Sequence, residues 1–347
     1  MTMKIDNNRI VWVDLVKTLA IVMVVLLHSI APSFYKYSSI PFFKSFILSN
    51  FIDSFCRVAV PLFILTSGFL ALKGNISIEK LWYKIKRLLI PLIFWSTLYK
   101  YWISYNTSET FNIFSALNSI FRKPAMYHLG FVYYMLGVYL LFPILALIVN
   151  EMLKSKKFAC YFLVLWFAIN SVNYYYLFSI IKWMAINNFF SYSGYAVLGA
   201  YLIRKNIGLK FSRYYWLILY LLVSSVTFII TWILNVNSVN PDEKAYWYLS
   251  PNVVIAAIGM FLALQNINIP VKYNILLKCI SENCFVIFFV HVWILVKLES
   301  KMISFSSFNP TNYPIFGSIV LAVITFIASL LISIVIRKIP HSQKLVG

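Results

Sequence analysis

The chain has 347 residues, 61% of them hydrophobic and only 12% charged, with 30 Phe, 24 Tyr and 10 Trp. A soluble domain is about 45–50% apolar and about 25% charged, so composition excludes an ordinary soluble fold and indicates an integral membrane protein. The formal net charge of +20 is what loop lysines and arginines of a polytopic protein supply under the positive-inside rule, and it argues for a lipid bilayer rather than nucleic acid as the partner.

Apolar runs long enough to cross ~30 Å of hydrocarbon fall near residues 11–31, 51–72, 88–105, 129–149, 158–176, 189–203, 214–234, 252–265, 280–296 and 314–336. The expected fold is therefore all-α, a single membrane-embedded domain over 1–347 with about ten transmembrane helices. Of the thirty lysines and arginines, twenty fall on one side if the N-terminus is inside, which predicts both termini in the cytoplasm. They include Lys17 in the first helix, Lys73 to Arg87 after the second, and Arg337 near the end. Between the third and fourth runs, Phe111, Phe114, Leu117, Ile120 and Phe121 recur at helical spacing and predict an amphipathic helix at the outer interface.

The first run contains Asp14, Lys17 and His28. At 100° per residue, Lys17 and His28 differ by three turns plus about 20° and share a face, with Asp14 on the adjoining part of it. Ionisable groups inside a membrane are costly and default to a functional hypothesis. His28 fits a general base taking a proton from a hydroxyl, or a packing histidine bonded to a carbonyl. Asp14 and Lys17 fit an anion-binding lysine oriented by its neighbour, or an interfacial ion pair with a snorkelling lysine.

In the second run, Asp53 and Arg57 are four apart and able to pair; Arg57 fits an oxyanion-stabilising role or a clasp that eases insertion. Pro61 loosens the helix, and Ser67-Gly68 permits close backbone approach. His128, after Tyr127, enters the fourth run from the outside, and His291 sits within the ninth; each is a site residue or a tucked-in structural histidine. The four cysteines lack CxxC spacing, so neither a disulfide framework nor a metal site is expected. GxSxG, HExxH, Walker and GxGxxG motifs are absent.

Five segments in order resemble the acyltransferase-3 family of ten-helix membrane acyltransferases. They are WVDLVKTLAIVMVVLLHS, RVAVPLFILTSGFLAL, YKIKRLLIPLIFWS, YHLGFVYYMLGVYLLFP and SENCFVIFFVHVWIL. Lys17 stands where the family usually has arginine, keeping the charge without the bidentate fork. Gly130 stands where it usually has tryptophan and is expected to widen that part of the site.

The resemblance implies transfer of an acyl group, most often acetyl, from cytoplasmic acetyl-CoA or another acyl-CoA to a sugar hydroxyl of a cell-envelope glycan. The CoA head would lie near Lys17, Lys84 and Arg87, and its pantetheine arm would carry the thioester up to His28. His28 would be base or acyl carrier, with Asp14 and Arg57 assisting. The acceptor would approach His128 and Tyr127, with Ser67 grouped beside them. The resemblance is to the stand-alone type without an esterase-like domain, in a bacterial inner membrane. O-antigen, capsule, exopolysaccharide and lipid-linked sugars all remain open as acceptors. The alternative is a flippase or transporter of a glycan or lipid-linked intermediate, although paired halves with interrupted helices are not evident.

Overall fold

The computed structural model describes residues 9–35, 42–74, 76–174, 191–236, 238, 241–265, 267–302, 314–340 and 342. Its regular structure among these is all helical. In chain order the α-helices are α1 (Val11–Tyr35), α2 (Phe42–Cys56), α3 (Ala59–Ala71), α4 (Ile78–Thr107), α5 (Ile113–Ile120), α6 (Gly130–Leu140) and α7 (Phe142–Lys154). They continue as α8 (Lys156–Tyr174), α9 (Ser193–Arg204), α10 (Arg213–Asn235), α11 (Pro251–Leu264), α12 (Val271–Met302) and α13 (Pro314–Lys338). A 3-10 turn, Tyr127–Leu129, leads directly into α6.

Among the described residues, each of the ten apolar runs falls on one helix or on two in succession; residues 175–176 and 189–190 of the fifth and sixth runs lie outside them. Six helical segments, from Val11–Pro32 to Phe316–Lys338, are long and apolar enough to cross a membrane, and the bent pair α6–α7 makes a seventh. The runs on α4, α8 and α9 do not reach that measure. The described part of α9 has 12 residues, about 18 Å at 1.5 Å per residue. α10 and α13 turn rows of large apolar side chains outward, among them Ile218, Leu222, Ile229, Ile233, Val323, Ile327 and Leu331. Such rows are stable facing acyl chains and unfavourable facing water. The chain is a multi-pass membrane protein.

Prolines shape the helices around particular residues. A proline cannot donate to the carbonyl four residues earlier and its ring crowds that carbonyl. Pro32, Pro61, Pro91 and Pro143 therefore act on His28, Arg57, Arg87 and Tyr139. At Pro61 the second apolar run divides into α2 and α3, with the break at Arg57 and Val58. At Pro143 the fourth run bends by 63° between α6 and α7. The second run, interrupted by a turn at Arg57 and Val58, still makes one span from Phe46 to Ala71, whereas the fourth is a bent pair.

α1 is the central helix, packed against α2, α3, α12 and α13. α3 crosses α9 at backbone contact. A Cβ on Gly68 would lie 2.0 Å from the Ala196 carbonyl oxygen, and one on Gly199 would lie 2.1 Å from that of Leu65. The close approach expected at Ser67-Gly68 is this crossing. The amphipathic segment forms α5, capped by the Asn112 side chain accepting from the Ser115 N–H at 3.0 Å. Phe114 and Phe121 project from it, 80% and 75% exposed, as an interfacial helix requires.

Candidate active site

α1 carries polar side chains to two different places. Towards its N-terminus, Asp14 and Lys17 line a cavity of about 470 Å³ bounded by α1, α3, α4, α6, α12 and α13. About 16 Å further along the helix, His28 joins a cluster of histidines and aromatic rings.

The cavity has a charged end and an apolar end. Lys17, Lys84, Arg87 and Arg337 line the first, with Asp14, Ser281 and Glu282; Phe63, Phe131, Phe285 and Phe288 line the second. Asp14 is already committed, accepting from Arg9 Nε at 2.5 Å and from Ser281 Oγ at 2.5 Å. Its partner is thus Arg9 rather than Lys17, because Arg9 reaches back one turn from the helix start. Among the described residues Lys17, Lys84 and Arg87 make no ion pair. Arg337 donates through Nη2 to the Glu282 carbonyl, while its buried Nε has no partner. Four cations converging with little compensation repel one another, and such a site is stable when an anion occupies it. Burial, and then the neighbouring Arg87, push the Lys84 ammonium below the ordinary lysine range.

The second place holds three of the chain's four histidines. The His28 ring stacks on His291 with centroids 5.3 Å apart, and His128 meets His291 edge-on at 5.2 Å. Tyr127 lies 5.1 Å from His28 and is 61% exposed, so it stands between the cluster and the surface. His291 Nδ1 sits 2.7 Å from the Phe288 carbonyl and 3.1 Å from that of Ile287. Both are acceptors, so Nδ1 carries the proton and Nε2 holds a lone pair, buried and without a partner. Neither ring nitrogen of His128 makes a hydrogen bond; the nearby Phe289 carbonyl accepts from Tyr99 at 2.7 Å instead. His28 is half-buried. These are proton acceptors held out of bulk water, an arrangement suited to deprotonating a hydroxyl.

Arg57 is close enough to act electrostatically on His28. Asp53 accepts from its Nη2 at 2.5 Å, and the Tyr246 ring lies 4.1 Å from the guanidinium carbon. Tyr246 in turn donates to Asn50 Oδ1 at 2.5 Å. This network holds a buried cation in the interior, with Arg57 Nε and Asp53 Oδ1 left unpartnered.

The expected residues thus divide between two centres. Lys17, Lys84 and Arg87 are together in the cavity. His28, His128 and Tyr127 are together in the cluster, with Arg57 nearby. Two placements differ from the sequence reading. Asp14 lies about 21 Å along α1 from His28 and belongs to the cavity. Ser67, grouped with the acceptor residues, also lines the cavity, because ten helical residues carry it about 15 Å inward from Arg57. At Gly130 a Cβ would meet only Pro124, at 3.8 Å, so the space beside it is largely open. Arg337 stands out as a residue that the sequence offers only as a loop charge. His291, open in the sequence between a site role and a structural one, joins His28 and His128 in the cluster, a meeting that no spacing within one helix could show.

No curated protein and no solved structure gives a match to the chain. A family profile described as an acyltransferase domain, Acyl_transf_3, matches residues 10–338, nearly the whole chain. The protein belongs to that family and is a membrane acyltransferase.

Proposed function

We propose that the protein is an O-acyltransferase, moving an acyl group, most simply acetyl, from acyl-CoA to a sugar hydroxyl of a cell-envelope glycan or its lipid-linked precursor. The observation that carries this reading is the cationic end of the cavity, where four cations face two carboxylates, one of them already held by Arg9 and Ser281. Lys17, Lys84, Arg87 and Arg337 offer a set of donors suited to the phosphates of a CoA head. The acceptor enters from the opposite, exposed side, past Tyr127. Both termini are cytoplasmic in this reading, which places the donor cavity at the inner face of a bacterial plasma membrane.

The reaction joins two half-sites on one helix. The acceptor hydroxyl gives its proton to His28 as its oxygen attacks the thioester carbonyl. The C–S bond then breaks, the CoA thiolate takes up a proton from the imidazolium, and the products are the ester and free CoA. Arg57 supplies positive charge where the carbonyl oxygen becomes negative. The lone pairs of His128 and His291 accept hydrogen bonds from the sugar hydroxyls or from the imidazolium as it forms.

The test is transfer of label from acyl-labelled acetyl-CoA to glycan in membranes containing the protein. Base-labile label in the glycan fraction is expected. Label found only in acetyl-CoA and free acetate, across glycan extracts and acyl lengths, would contradict the proposal.

A further inference from the structure

The cavity and the histidine cluster do not connect openly. His28, His128 and His291 are absent from the cavity wall, whose apolar side carries four phenylalanines, Phe63, Phe131, Phe285 and Phe288. Phe63 and Phe131 have centroids 6.1 Å apart, and Phe131 meets Phe288 edge-on at 5.4 Å. Phe288 is 5% exposed, and its other ring neighbours include His128 at 5.6 Å and His291 at 5.8 Å. One ring therefore borders both the donor cavity and the proton-accepting cluster.

We propose that Phe63, Phe131 and Phe288 form the acyl subsite, and that the Phe288 ring limits the acyl group to a short chain. The inference rests on the acyl-CoA reading above and goes beyond it by assigning the acyl group a place and a size. With the phosphates at the cationic end, the thioester lies towards the apolar end. The acyl carbon must reach the plane of Phe288 to meet a hydroxyl activated on the far side. An acetyl methyl needs little more than a small displacement of that ring. Each further methylene claims volume that the packed rings already fill, and close-packed interiors do not give it freely. One methylene too many in a hydrophobic pocket is worth about 10–200-fold in discrimination.

The experiment compares acetyl-, butyryl- and hexanoyl-CoA as donors for wild type, Phe288→Ala, Phe288→Leu and Phe131→Ala, with CoA binding measured on each. Wild type is expected to prefer acetyl over butyryl by about tenfold or more. Phe288→Ala and Phe131→Ala are expected to move that ratio about tenfold or more towards butyryl while CoA binds as before. Phe288→Leu, which keeps most of the bulk and the fold, is expected to move it less. Unchanged donor ratios in all three variants would overturn the subsite while leaving the acyltransferase reading intact. Wild type transferring hexanoyl as readily as acetyl would overturn the size limit. Absence of transfer from every acyl-CoA by wild type would instead remove the reading on which the subsite depends.

Discussion

The crossing of α3 and α9 gives a prediction whose size follows from the backbone. In Gly68→Ala the new methyl would lie 2.0 Å from the Ala196 carbonyl oxygen, 2.4 Å from its Cα and 2.5 Å from its carbonyl carbon. Ordinary contact begins near 3.4 Å, so the shortfall is about 1.4 Å, and the obstacle is backbone rather than a side chain that rotates away. The helices must separate by about that amount. The matching contact of Gly199 under the Leu65 carbonyl then opens as well. Overpacking of this kind costs about 1–3 kcal/mol, and a gap of 0.5–1 Å forfeits about a quarter to a half of each dispersion contact along the seam. Because α3 also carries Phe63 and Ser67 of the cavity, donor affinity should fall with stability. The control is Gly137→Ala in α6, where a Cβ meets nothing within 4 Å and helix propensity gains about 1 kcal/mol. Thermal unfolding of the detergent-solubilised protein should show Gly68→Ala well below wild type and Gly137→Ala at or above it. A Gly68→Ala protein as stable as wild type would refute the packing argument.

Breaking the buried Asp53–Arg57 pair with Asp53→Leu should cost about 3–5 kcal/mol, since Arg57 is left charged and unpaired; adding Arg57→Leu should restore most of it in unfolding measurements. Arg337→Gln and Arg87→Gln should each weaken CoA binding and flatten its salt dependence, read by titration at rising ionic strength. The Lys84 pKa is lowered, so its attraction for phosphate is complete below that shifted value and fades as pH rises through it. CoA affinity should therefore decline on the alkaline side in wild type, and Lys84→Arg should extend the plateau to higher pH.

The sequence carried the architecture further than it carried the site. Hydropathy gave the all-helical membrane architecture, because burying about twenty apolar residues in lipid leaves a long run of apolar side chains, and six or seven of the ten runs are long and apolar enough to cross. Pro61 pointed to the loosened stretch at Arg57 and Val58, but hydropathy did not show the 63° bend at Leu141, just before Pro143. Helical phase placed Lys17 and His28 on one face of α1, and that face does run from cavity to cluster. Phase works only within one helix. The meeting of His28 with His291 and His128 depends on how α1, α12 and the turn before α6 pack, and no local pattern encodes that. The same limit applies to Arg337. On α13 it looks like any basic residue at a helix end, and only the fold turns it into the cavity. Of the two readings open for Asp14 and Lys17, the ion pair is not the one formed: Asp14 accepts from Arg9, five residues earlier in the chain, a partner that helical spacing does not single out because Arg9 precedes the helix.

The measurement that bears most directly on the account is acyl transfer in inverted membrane vesicles, with labelled acetyl-CoA added outside, comparing wild type, His28→Ala and Lys17→Ala. Wild type should move label into glycan. His28→Ala should bind CoA normally and transfer none, whereas Lys17→Ala should keep the chemistry but require more donor. Transfer by His28→Ala at the wild-type rate would remove the histidine cluster from the reaction and contradict the division into donor cavity and catalytic cluster.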